Sequence, residues 1–134
     1  MNQSENNSSK QIESEVQVLK ALNHPARIAI LRILQDGEHC VCHMEAHLGY
    51  RQAYISQQLS VLRDSGLIDD RRDGWNVYYR VTDPKIFEIL DLIQQISGGK
   101  KVVSENRQVD CPCPHCVRTT QTVRQIETSG RSAG

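Results

Sequence analysis

Apolar positions along the chain fall into stripes before anything else about it can be read. Ile12, Val16, Leu19 and Leu22 recur at spacings of three and four, which predicts one face of a helix ending near Asn23. His24-Pro25 breaks that helix and starts another, proline being suited to a first helical position. In this second helix Ile28, Leu31 and Leu34 predict the inner face, Ile30 and Ile33 widen it, and Asp36-Gly37 supplies a glycine for the left-handed cap. A third helix begins within 38–42 and ends at Leu48-Gly49. The fourth spans 51–64, with Ile55, Leu59 and Leu62 facing inward and Ser65-Gly66 ending it. The pattern then turns β-prone: Leu67-Ile68 and the run 77–81 bracket Arg71-Arg72-Asp73-Gly74-Trp75, where Asp73-Gly74 predicts a hairpin turn. A two-stranded hairpin is not stable alone, so it must pack on the helices as a wing. Asp83-Pro84 opens a last helix whose stripe is Ile86, Ile89, Leu90, Ile93 and Ile96.

These elements predict a mainly α chain with a small β-hairpin wing, an α+β winged helix-turn-helix. Residues 1–11 are polar and are expected to be a disordered N-terminal arm, 12–97 the DNA-binding and dimerisation domain, and 98–134, after Ser97-Gly98-Gly99, a flexible Cys-containing C-terminal tail. In a chain of 134 residues that leaves a core too small to bury much surface, which favours oligomerisation. The last helix is more apolar than such a core can cover. With the first helix it predicts a homodimer surface; the alternative is that it closes the monomer.

Charge changes the picture little. The formal net charge is zero and the pI near 6.9, so no general attraction to DNA or to an anionic membrane follows, and a nucleic-acid reading rests on local pattern. A short helix, a glycine turn and a second helix supply that pattern. The outer face of the fourth helix carries Gln52, Tyr54, Ser56, Gln57, Ser60 and Arg63. On an isolated helix this would be a solvated face; after a positioning helix and a turn it suits base edges, glutamine matching adenine bidentately and serine either kind of edge or phosphate. Arg71 and Arg72 near the hairpin tip reach towards phosphates, offset by Asp69, Asp70 and Asp73.

Five cysteines form two clusters, Cys40/Cys42 and Cys111/Cys113/Cys116. The N-terminus lacks a basic-then-apolar leader and no run approaches the roughly 20 apolar residues of a membrane span, so a cytoplasmic protein without a membrane partner is expected. Reduced, clustered thiols in that compartment point to metal binding or redox chemistry. Residues two apart on a regular helix lie about 200° from each other, so Cys40 and Cys42 chelate one ion only if the first turn is irregular, which would distort the element positioning the DNA reader. Two thiolates are an incomplete shell for a soft ion. From Gly98 to Cys111 an extended chain reaches on the order of 40 Å, enough for Cys111, Cys113 or Cys116 to complete it; prolines 112 and 114 keep that segment extended. The alternative for the tail is an independent metal-scavenging or redox CxxC at Cys113-Cys116. His39 and His43 flank the site as borderline ligands or as solvated or capping residues, and His47 packs or faces water. The rival chemistry is oxidative, because thiols at a helix N-terminus react readily with peroxide or persulfide and Cys40 and Cys42 could close a disulfide. Cys113-Pro114-His115-Cys116 imitates a thioredoxin-like active site, but no βαβ unit surrounds it, and no enzyme is expected.

Taken together, Leu22-Asn23-His24-Pro25-Ala26-Arg27-Ile28, Cys40-Val41-Cys42, Ile55-Ser56-Gln57-Gln58-Leu59, Leu62-Arg63-Asp64-Ser65-Gly66-Leu67-Ile68 and Arg72-Asp73-Gly74 followed by Tyr78-Tyr79-Arg80 resemble the ArsR/SmtB family of winged-helix repressors over roughly residues 15–95. The resemblance implies a homodimer built from the first and last helices, the fourth helix in the major groove of a palindromic double-stranded DNA operator, and repression released by an inducer. It implies that Gln52, Tyr54, Ser56, Gln57 and Ser60 read DNA and that Arg72 holds the backbone. Half-sites would lie about 34 Å apart. Cys-Val-Cys resembles the family's thiolate site, implying a soft metal or metalloid inducer (arsenite, cadmium, lead or zinc) and no obligatory cofactor. Two departures stand out: Gln58 replaces a histidine common in relatives, and Asp91 is followed by Gln94 and Gln95, poor zinc ligands, where the family's other zinc site has histidine and glutamate.

Overall fold

A computed structural model describes residues 3–99, with the elements α1 (Gln3–Leu22), α2 (Pro25–Leu34), β1 (His39–Cys40), α3 (Val41–Leu48), α4 (Gln52–Asp64), β2 (Ile68–Asp73), β3 (Asn76–Val81) and α5 (Lys85–Ile96). The winged helix-turn-helix expected from the sequence is present. α2, α4 and α5 enclose the core, where Ile30, Leu31, Met44, Ile55, Leu59, Leu62 and Ile68 are fully buried. At about 1.5–3 kcal/mol for each large apolar side chain withdrawn from water, these set the monomer's stability. The buried side of α2 is Ala26, Ile30, Leu31 and Leu34, with Ile28 and Ile33 at its margin, so the inner face is rotated from the one the spacing suggested.

Each helix end has a physical cause. The His24 ring accepts from the backbone N–H of Ala26 at 3.2 Å, and Pro25 follows at the first helical position. Beyond α4 the N–H of Gly66 reaches Arg63 O (3.0 Å) and that of Leu67 reaches Leu62 O (3.1 Å). These are the paired bonds of a Schellman turn, which needs the positive φ of 80° that Gly66 adopts. The chain thereby leaves α4 directly into β2.

Three expectations are corrected. Of the stretch expected to be a disordered arm over 1–11, residues 3–11 continue the helix, since α1 starts at Gln3: once 12–22 is anchored, adding a residue makes one hydrogen bond without a new nucleus. The wing has more than the two expected strands: it is part of a three-stranded antiparallel sheet ordered β1-β3-β2, because His39 and Cys40 pair with Tyr79 and Tyr78. The hairpin loop is Gly74-Trp75 rather than Asp73-Gly74, since Asp73 pairs with Asn76. Only Gly74 has positive φ, 61°, the type II′ arrangement, and Trp75 projects fully exposed from the apex.

On the outside, α1 and α5 expose apolar side chains: Ile12, Val16 and Leu19 on one, Ile89, Leu92, Ile93 and Ile96 on the other. Among the described residues no helix is long and apolar enough to cross a membrane.

Candidate nucleic-acid interface and thiol site

The reading helix is placed by a three-residue link. Gly49 ends α3 in the left-handed region (φ 70°) with its N–H on Glu45 O at 2.9 Å, and Arg51 is already the extended N-cap residue of α4. Ile55, Gln58, Leu59 and Leu62 turn inward. With 100° per residue the opposite side then carries Ser56, Gln57 and Ser60, all exposed, with Gln52 at its leading edge. Four of the expected reading residues thus share one accessible surface. Tyr54 stands apart: it is half-buried, its hydroxyl lies 3.4 Å from His24 Nε2, and its ring packs edge-on to Tyr50 at 5.2 Å. It braces the α2 cap as much as it faces outward. Gln58 is buried, which removes it from the surface. Arg51 is exposed at the start of α4, a basic group that the hydrophobic pattern did not single out because it lies in the turn.

The two arginines of the wing differ. Arg72 is exposed beside the hairpin loop. Arg71 is engaged instead: its Nε and Nη2 donate to the two carboxylate oxygens of Glu38, each at 3.1 Å, and its guanidinium lies 5.1 Å over the Tyr78 ring. That hydrogen bond, and then the carboxylate's charge, push the Arg71 pKa up. Arg63, exposed on α4, lies 3.7 Å from Asp70 of β2.

The thiols occupy the other end of α3. Cys40 is the last residue of β1 and the N-cap of α3, extended at φ −87° and ψ 168° and only 5% exposed. Cys42, one residue inside the helix start, is exposed. Because Cys40 lies outside the helix, the roughly 200° opposition of a regular helix does not apply to the pair. The obstacle is burial, since Cys42 is open to solvent and Cys40 is not. The donors are soft and suit thiophilic ions, but among the described residues no group of three or more His, Cys, Asp or Glu side chains is disposed to hold a metal. An ion on this pair would need further ligands; Cys111, Cys113 and Cys116 lie outside the described residues. His39, His43 and His47 form a row of rings, the first two stacked at 3.9 Å and 7°, the next pair tilted at 4.7 Å. On α5 Asp91 accepts from Arg32 at 2.7 Å and Gln94 lies 3.4 Å from the same guanidinium, so α5 uses these groups to bind α2.

A model of bacterial regulatory proteins of the arsR family matches residues 24–70. The biofilm growth-associated repressor of Agrobacterium fabrum is 39% identical over 79 residues, covering 59% of this chain and 68% of that protein. Of the solved structures, NolR from Sinorhizobium fredii superposes with a TM-score of 0.63 at 30% identity, over 70% of this chain and 94% of that one. The homodimeric winged helix-turn-helix DNA-binding domain of Mb0332 from Mycobacterium bovis gives 0.62 at 27% identity, over 68% and 84%.

Proposed function

The chain belongs to the arsR family of bacterial regulatory proteins, and from that premise we propose that it is a homodimeric transcriptional repressor whose grip on its operator is released when a soft metal or metalloid ion binds Cys40 and Cys42. The observation that carries this reading is the position of the two thiols. They straddle the junction of β1 and α3, and α3 runs through a three-residue link into the helix bearing Ser56, Gln57 and Ser60. Bringing the buried Cys40 sulfur and the exposed Cys42 sulfur to one ion must move that junction.

The exposed stripes of α1 and α5 support the dimer. Between them runs an apolar groove of about 440 Å³ lined by Val16, Leu19, Ile28 and Ile93, among others, a surface a second copy would cover. Two reading helices in a dimer call for half-sites about 34 Å apart on a palindromic duplex. Cys111, Cys113 and Cys116 are the candidates to complete the thiolate shell. To act as a switch, the ion must favour the low-affinity form by roughly 1–3 kcal/mol, which thiolate coordination can supply.

The test is release of a promoter duplex in a gel shift, with cadmium, lead or arsenite under reductant in one arm and peroxide without metal in the other. Release by an ion, abolished in Cys40→Ser/Cys42→Ser, is expected. Release by peroxide alone would replace the metal reading with disulfide formation at the same cysteines.

A further inference from the structure

The thiol element and the wing belong to one sheet. Cys40 on β1 stands opposite Tyr78 on β3, and Tyr78 stands opposite Arg71 on β2, so the three make a single row across all three strands. Directly opposed residues share a face of a sheet. Tyr78 fills the middle of the row, 3% exposed, with the Arg71 guanidinium over its ring. Arg71 then closes the row on itself, because the carboxylate it grips belongs to Glu38, two residues before Cys40.

We propose that this closed row, Cys40–Tyr78–Arg71 locked by Glu38, carries ligation of the thiols to the wing, with Arg71 and Glu38 as its positioning residues. The inference rests on the reading that Cys40 and Cys42 take a soft ion; what it adds is the route and the element that responds. A path through α3 to α4 alone would leave the wing passive. The geometry argues otherwise, since β1 is only two residues long and carries one of the two sulfurs. For Cys40 to reach an ion beside Cys42, β1 must shift against β3, and its pairing with Tyr78 shifts too. The two-pronged contact between Glu38 and Arg71 tolerates little of this: a displacement of about 1 Å carries a 3.1 Å hydrogen bond out of range. Arg71 would then leave Glu38, and β2 would lose its tie to the far edge of the sheet. Both side chains are partly exposed (46% for Arg71, 28% for Glu38), so the pair adds little to stability and its role is geometric.

The experiment uses the full chain. Cadmium binding is followed by thiolate-to-cadmium ultraviolet absorbance, the wing by hydrogen exchange over residues 68–81, and the operator by anisotropy of a labelled duplex with and without cadmium. In the wild type, cadmium is expected to speed exchange in β2 and β3. Glu38→Ala and Arg71→Ala should each cut the ratio of operator affinities without and with cadmium by roughly tenfold, a coupling change of the usual allosteric size. Cadmium affinity should stay within about twofold of wild type. Arg71→Lys keeps the charge and loses the fork, so it should fold normally and move the ratio the same way, whereas the exchange Glu38→Arg with Arg71→Glu should restore part of it. Cadmium binding that leaves 68–81 unchanged, or a full ratio in all three single variants, overturns the route while leaving the thiol reading intact. Absence of thiolate absorbance in the wild type overturns both.

Discussion

α4 and α5 are similar in length and both amphipathic, yet they spend their outer faces differently. On α4 most of the apolar surface is spent inside: Ile55, Leu59 and Leu62 are at most 1% exposed, Val61 is 36% exposed at the margin, and the far side is amide and hydroxyl. On α5 only Ile86 and Leu90 are consumed by the core, while Leu92 is 57% and Ile96 87% exposed. A face with hydrogen-bonding groups and little apolar surface keeps its contacts with water until a polar partner replaces them, which suits base edges and phosphates. A face left apolar is costly in water and is relieved by protein. One helix has an outer face suited to nucleic acid, and the other has one that a second subunit would cover.

The sharpest way to break the comparison is to damage the inward side of α4. Leu62→Ala should cost about 2–5 kcal/mol and lower the denaturant midpoint, since a fully buried leucine leaves a cavity; a midpoint unchanged in a chemical melt would mean that α4 does not anchor the core. Next in size is Leu92→Glu with Ile93→Glu on α5. If that face joins subunits, light scattering should report a monomer and operator affinity should fall by on the order of 100-fold or more as one half-site contact is lost, with the circular dichroism of the fold retained. Gln57→Ala, on the opposite kind of face, should leave the dimer intact and weaken a specific duplex by about 1–3 kcal/mol while hardly affecting a scrambled one; equal losses on both would show that Gln57 does not read sequence. Smallest is Arg32→Ala, which removes the ion pair to Asp91. With side chains 30% and 36% exposed, the pair should contribute no more than about 1 kcal/mol to thermal stability.

The sequence made the helical frame legible because the frame is local. Ile55, Leu59 and Leu62 at i, i+4 and i+7 specify the inner side of α4 without reference to any other element, and Gly49 and Gly66 mark ends that need a left-handed residue. What escaped was non-local or too short. His39-Cys40 is two residues, too few for alternation to register, and its partner strand begins 36 residues further on at Asn76. Without β1, spacing places the start of α3 only within 38–42 and the link between Glu38 and Arg71 is invisible, so both wing arginines read as phosphate contacts. Tyr54 fell on the outward face by counting, but its tie to His24 arises from α2 lying alongside α4, which spacing within one helix cannot reveal. The hairpin loop slipped by one residue because Asp-Gly and Gly-Trp are both acceptable turns and register is decided by the pairing of Asp73 with Asn76.

The tryptophan at the hairpin apex has a practical consequence. It is the only one in the chain and wholly solvated, so its emission is much the same whether the core beneath it is intact or melted. A denaturation curve recorded at that wavelength would look flat for a protein that had come apart, and stability is better followed through the peptide signal or the tyrosines. The same indole is a background-free optical probe of whatever meets the tip of the wing.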